Sequence, residues 1–266
     1  MRRSKPSRGL DTSIAHPARV YDYWLGGKDN FAADREAAER VLAAQPGIRF
    51  GVRANRDFLR RTVRYLAEEA GVRQFLDIGT GIPRRENTHE VAQAAAPDAR
   101  IVYVDNDPVV LLHAHALLTS SMQGATAYIE ADLRDPASIL AQAASTLDYG
   151  RPVALMLLLI LHLIPDEADP YQIVATLLDA LPRGSYLVVS HPAKDVEADA
   201  AAEAMRRYNE LVSVPQTRRT HTEVCRFFDG LELLEPGVVQ LHHWRPAGEL
   251  VPPRAVSSHG GVGRKP

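Results

Sequence analysis

The chain has 266 residues, of which 45% are hydrophobic and 24% charged, with a formal net charge of −2. This is enough apolar material for one sizeable core with a small appended cap, and too weak a global field to hold a polyanion, so nucleic acid is not an expected partner. A single cysteine, Cys225, excludes an internal disulfide framework, and no apolar stretch follows Met1, so the reading is a protein of the reducing cytoplasm.

Residues 1–10, basic through Arg2, Arg3, Lys5 and Arg8, read as a disordered tail. Helical spacing follows from Ala18 to Leu25, stopped by Gly26-Gly27, then from Phe31 to Ala44 and from Phe50 to Ala70, divided by Pro46-Gly47. Residues 11–72 are therefore expected to form an N-terminal helical cap. From residue 73 the pattern alternates between strands at 74–78, 101–105, 126–131, 153–159 and 185–190 and helices at 88–96, 108–119, 136–146 and 169–181. Such alternation predicts an α/β fold with a mostly parallel, Rossmann-like sheet covered on both faces. Pro108 and Pro136 stand where a helix tolerates a missing N–H. The run Val153–Leu161, continuing past His162 to Ile164, falls short of the ~18 apolar residues of a membrane span and reads as a buried strand.

After a helix from Val196 to Leu211, the spacing Thr220-His221-Thr222-Glu223 opens a short helix to Phe228. Leu231–Leu234 and Val238–Trp244, joined through Glu235-Pro236-Gly237, are expected to pair as an antiparallel hairpin, completing seven strands within a domain at 73–246. Residues 247–266, where Pro, Gly, Ser and basic residues gather, read as a second disordered tail.

Chemistry concentrates between Gln74 and Asp107. A strand ending Asp77-Ile78-Gly79-Thr80-Gly81 places main-chain N–H groups without β-carbons at a sheet edge, and the next strand ends in Asp105, whose carboxylate suits a ribose diol. Asp77 fits either a ligand contact or a turn cap. A dinucleotide site would want G-x-G-x-x-G, but Arg84 stands where the third glycine belongs, so an oxidoreductase is the weaker reading. Arg84 and Arg85 read as solvated loop charges. Tyr23, Gly26, Gly27 and Asn30 combine aromatic, hydrogen-bonding and helix-stopping residues suited to covering a ligand. His113 and His115 do not converge, His89-Glu90 lacks a second histidine, and His242-His243 alternate across a strand, so no metal site is expected. Ser190-His191 lacks a nucleophile elbow.

The glycine motif, the acids at successive strand ends, Ala131-Asp132-Leu133 and the terminal strands together resemble class I S-adenosylmethionine-dependent methyltransferases. More closely, His16-Pro17-Ala18-Arg19-Val20-Tyr21-Asp22-Tyr23, Leu25-Gly26-Gly27-Lys28-Asp29-Asn30-Phe31, Phe75–Gly81 and Tyr103-Val104-Asp105-Asn106-Asp107-Pro108 resemble an actinobacterial S-adenosyl methyltransferase family, formerly a domain of unknown function. The resemblance implies that Gly79, Thr80 and Gly81 wrap the amino-acid part of S-adenosylmethionine, that Asp105 takes the ribose hydroxyls with Asn106 beside the adenine, and that Asp132 and Leu133 hold the adenine. The chain departs from many class I enzymes at Pro83 and at Arg84-Arg85-Glu86. Leu161-His162-Leu163-Ile164-Pro165-Asp166 resembles a segment that faces the reacting methyl, making His162 the candidate catalytic residue. The expected function is methyl transfer to a small-molecule acceptor, and the alternative is a cofactor-binding module without transferase activity. Room beyond the methyl for an acceptor separates the two.

Overall fold

Five apolar segments form the frame of the computed structural model, which describes residues 11–117, 120–246, 248 and 255–266, with backbone only at 114–117. They are β1 (Gln74–Ile78), β2 (Arg100–Asp105), β3 (Ala125–Glu130), β4 (Ala154–Leu158) and β5 (Tyr186–Pro192). All pair in parallel, in the order β3-β2-β1-β4-β5, with β1 and β4 wholly buried. Burial on both faces explains why these strands are continuously apolar rather than alternating. The helices α4 (Thr88–Ala95), α5 (Pro108–Leu117), α6 (Pro136–Ala143) and α7 (Pro170–Asp179) are the crossovers. Their starts are locally encoded: Pro108 and Pro136 open α5 and α6, and the Asp135 side chain accepts the Ser138 N–H at 3.1 Å.

The other side of the sheet corrects the sequence reading. Residues 258–264, placed in a disordered tail, are instead β8 (Ser258–Arg264), buried from Ser258 to Gly263 and antiparallel to the whole of β5. Gly260, Gly261 and Gly263 hide the strand from any hydrophobicity count, yet their bareness is what fits it in. A β-carbon on Gly260 would lie 2.4 Å from Leu241, and one on Gly263 2.9 Å from Phe228. The expected hairpin segments do form short strands, β6 (Glu232–Leu233) and β7 (Val239–Gln240), but they do not pair with each other. Each pairs antiparallel with β8, in register Glu232↔Arg264 and Val239↔Gly260, giving eight strands among the described residues rather than seven. The disordered tail expected at 1–10, the last two residues of the helix expected at 108–119, and positions 247 and 249–254 of the expected second tail lie outside the described residues.

One face of the sheet packs against α6, α7 and the short α9 (His221–Cys225), through residues such as Leu155, Ile139 and Phe227. The opposite face packs against α3 (Ile48–Glu68) and α4, around Phe58, Phe75 and the fully buried Trp244. A third cluster joins α1 (Pro17–Trp24) and α2 (Ala32–Ala44) to α8 (Ala198–Asn209) through Val20, Ala37, Val41, Ala204 and Tyr208. The helical layer over the sheet thus draws on both halves of the sequence, with α3 belonging to the main core. Among the described residues no helix is long and apolar enough to cross a membrane.

Candidate functional site

A cavity of about 550 Å³ runs along the carboxyl ends of the parallel strands, from Asp132 after β3 to Pro192 at the end of β5. Its roof is α1 with Tyr21 and Trp24, the Gln45–Val52 stretch leading into α3, Tyr208 of α8, and the loop Ser213–Arg218. Volume and position fit a small-molecule site at the mouth of an open α/β sheet.

The half beneath β1, β2 and β3 is acidic. Gly79 and Gly81 adopt φ of +77° and +64°. A side chain on Gly79 would strike Ile160 at 2.6 Å, whereas the space over Gly81 is open. Close packing therefore demands the first glycine, and backbone conformation the second. The Asp105 carboxylate accepts the Gly81 N–H and the Asp107 N–H, both at 2.9 Å, so it fixes the glycine turn while keeping lone pairs toward the cavity. Burial raises its pKa. Asp77 accepts from Thr88 Oγ1 at 2.6 Å, and burial pushes it up to about 6. Asp77 therefore holds the side chain of the first residue of α4, whose cap is Asn87 with Glu90, and also lines the cavity. Asp132 is paired at 2.5 Å with Arg134, which holds its pKa down, and Asn106 Nδ2 is 3.5 Å from it. Thr80 and Leu133 complete this wall. Glycine main chain beside carboxylates at three successive strand ends fits a cationic ligand that carries a ribose.

The half beneath β4 and β5 is neutral to basic. At the end of β4, Leu159 turns with φ of +49°, held by Ser190 O at 3.0 Å and Ser190 Oγ at 3.1 Å. Ser190 in turn donates to Asn55 Oδ1 at 2.6 Å, and Asn55 Nδ2 donates to Tyr21 Oη at 3.0 Å. One polar chain therefore ties the strand end to α3 and α1, through two residues that line the cavity. His162 lies just beyond, with a buried Nδ1 that has no hydrogen-bond partner among the described residues. Burial, with His191, Arg218 and Arg219 close by, holds its pKa well below the usual imidazole value. His191 accepts from Arg219 at Nε2 (2.9 Å) and donates from Nδ1 to Pro192 O (3.0 Å), and burial drops its pKa to about 3. Arg219 also donates to the carbonyls of Leu161 and Ile164 and to Asp166, fastening the turn that carries His162.

Asp77, Gly79, Thr80, Gly81, Asp105, Asn106, Asp132, Leu133 and His162 thus share one cavity, whereas Tyr23, Gly26, Gly27 and Asn30 do not line it. Tyr23 reaches outward to Glu39 at 2.5 Å. Gly26 ends α1, its N–H donating to Tyr23 O at 2.9 Å, whereas Gly27 and Asn30 wrap a buried carboxylate: Asp22 accepts Asn30 Nδ2 at 2.9 Å and the Asp29 N–H at 3.0 Å, and pairs at 2.5 Å with Arg84 of the glycine loop. Gly27 is bare because a β-carbon there would lie 2.0 Å from both Arg84 Nη2 and Asp22 Oδ1. Arg84, read as a solvated charge, is therefore the clasp between cap and loop. The wall residue His16 stands in the first quoted motif, but Gln45, Asn55 and Arg218 were not singled out by sequence, since each is polar without motif spacing; only its burial marks it.

Comparison with known proteins agrees with this geometry. The S-adenosyl methyltransferase family matches residues 3–266. A DUF574 family protein from Streptomyces avermitilis is similar at 48% identity and a TM-score of 0.93, over 96% of this chain and 99% of the other. A candidate methyltransferase from Thermobifida fusca is similar at 42% identity and a TM-score of 0.89, over 98% of each chain. At the level of fold alone, the plantazolicin methyltransferase BpumL, crystallised with S-adenosylhomocysteine, superposes with a TM-score of 0.52 at 11% identity over 94% of this chain and 95% of its own. No curated protein matches the sequence. With its match across nearly the whole chain, and with a glycine turn and carboxylates at successive strand ends, this protein belongs to the S-adenosyl methyltransferase family and is an S-adenosylmethionine-dependent methyltransferase.

Proposed function

We propose that the acceptor is a small molecule, taken into the half of the cavity beneath β4 and β5 while the cofactor occupies the acidic half. The observation that carries this is the continuation of one cavity past the glycine turn to His162, Gln45 and Arg218, which is room a binding module without an acceptor has no use for. In this reading Asp105 holds the ribose, Asn106 with Asp132 and Leu133 the base, and Asp77 with Gly79, Thr80 and Gly81 the amino-acid part. The bound cofactor supplies an already activated methyl, so the protein's work is alignment and exclusion of water. The Leu159–Ser190–Asn55–Tyr21 chain fixes the strand end under the roof, and Trp24 and Tyr208 shield it. Because His162 stays neutral, its Nδ1 is suited to accepting a hydrogen bond from an acceptor and orienting it, and poorly suited to removing a proton from a weak acid. The single cysteine supports a reducing, cytoplasmic setting.

Incubation with methyl-labelled cofactor and an extract of the source organism, followed by mass identification of labelled products, tests this. Label in a small metabolite is expected. Label in RNA, DNA or protein refutes the acceptor class, and binding of S-adenosylhomocysteine with no label transferred favours the binding-module alternative.

A further inference from the structure

Arg218 lines the cavity yet is buried, at 7% exposure, and among the described residues its guanidinium has one hydrogen-bond partner, Gln45 Oε1 at 3.1 Å. Its Nε is buried without a partner, and no carboxylate among the described residues forms an ion pair with it. The next residue shows the contrast in charge: Arg219, at 2% exposure, likewise leaves its Nε without a partner among the described residues, but it is neutralised by Asp166, and its Nη groups also meet two carbonyls and His191. A buried cation without a counter-charge is costly and is ordinarily paired. Here desolvation alone lowers the Arg218 pKa, to about 10, leaving the group charged at neutral pH. The fork is held in place from two sides. Gln45 follows α2, and the loop of Arg218 is pinned to the β4 exit by the Thr217 N–H donating to His162 O at 2.7 Å.

We propose that Arg218, oriented by Gln45, is the anchor for a carboxylate on the methyl acceptor, so that the substrates of this enzyme are small carboxylic acids. A planar guanidinium pairs with one carboxylate through parallel hydrogen bonds and balances its single charge. The acids of the cavity, Asp77, Asp105 and Asp132, all stand at the β1–β3 end, where they outnumber Arg134, paired with Asp132, and Arg56, whereas Arg218 has no acid beside it on the wall, so an anion is drawn to the β4–β5 end beside His162. The assignment rests on the cofactor occupying the acidic half. The other carboxylate that could reach a cavity cation is the cofactor's own, and the test separates the two.

The experiment uses the whole protein saturated with S-adenosylhomocysteine and arginine Nε–H NMR, titrated with acetate, propionate and benzoate, with their amides, and with inorganic phosphate. The expected result is a saturable shift of the Arg218 Nε–H with at least one carboxylate, none with the matching amide, and at least a tenfold loss of carboxylate affinity in Arg218→Met. Arg218→Lys should retain part of it. Arg218→Met should also bind S-adenosylhomocysteine within threefold of the parent and melt at the same or a higher temperature, because it removes an unpaired buried charge. A response to phosphate alone, or equal responses to acids and amides, overturns the carboxylate assignment. A tenfold or greater loss of S-adenosylhomocysteine affinity in Arg218→Met assigns Arg218 to the cofactor instead. A lower melting temperature with unchanged carboxylate binding makes it a packing residue. If the parent protein does not bind S-adenosylhomocysteine, the placement of the cofactor fails, and the acceptor assignment with it.

Discussion

Asp105 acts on the cavity in two ways, as a wall carboxylate and as the acceptor that sets the Gly81 and Asp107 amides. Asp105→Ala is therefore expected to weaken S-adenosylhomocysteine binding by about 1–3 kcal/mol, the usual consequence of stranding buried polar partners, as read by titration calorimetry. An unchanged affinity would remove it from the site. Asp77 carries a pH signature. Its folded pKa, about 6, lies above its ordinary value of 3.8 because burial penalises the carboxylate. The stability linked to this group is thus complete below pH 3.8 and is lost as pH rises through 6, a difference of roughly 3 kcal/mol. Asp77→Asn, which keeps an acceptor for Thr88, should be more stable than the parent at pH 7 by up to about that amount and should lose the advantage by pH 4. Urea denaturation at the two pH values measures it. Both acids were legible in the sequence because strand, glycine and carboxylate are local neighbours. The Arg218–Gln45 pair was not, since its members stand far apart in the chain and meet only through the packing of α2 and the 213–218 loop over the sheet.

Between elements, the decisive junction is the one from α1 to the glycine loop. The sequence reads Gly26-Gly27 and Asn30 as a roof over the ligand; the structural partners of Gly27 and Asn30 are Asp22 and, through it, Arg84, while Gly26 closes the end of α1 on Tyr23 O. Glycine and asparagine after a helix announce a special turn, but not what the turn encloses, because that depends on a residue 62 positions away. Gly27→Ala is expected to cost about 1–3 kcal/mol by overpacking against Arg84 and Asp22. It should also weaken S-adenosylhomocysteine binding, since the clasp that positions the loop is displaced. A stability change without an affinity change would separate cap from site. For the same reason, hydrogen exchange at 16–31 should slow with the ligand bound even though Gly26, Gly27 and Asn30 stay off the cavity wall.

For the whole molecule, strand–helix alternation revealed the parallel half of the sheet, and glycine composition concealed β8. Removing residues 257–266 should abolish cooperative thermal unfolding and expose apolar surface to a hydrophobic dye, because β6 and β7 lose their pairing strand and β5 is left as an open edge beside β4. A truncated chain that melts like the parent would contradict that. The placement of β8 also bears on how the molecule assembles in time. Tyr186 pairs with Arg264, and Phe75 with Ala154, so both joins on either side of β4 and β5 close loops of many tens of residues, whereas β1, β2 and β3 pair with near neighbours in sequence. Loop closure must precede any return from such distant contacts, which slows them. In refolding followed by pulsed hydrogen exchange, amides of β1 to β3 should gain protection first and those of β5 and β8 last. The acidic half of the cavity would then form before the half that selects the acceptor.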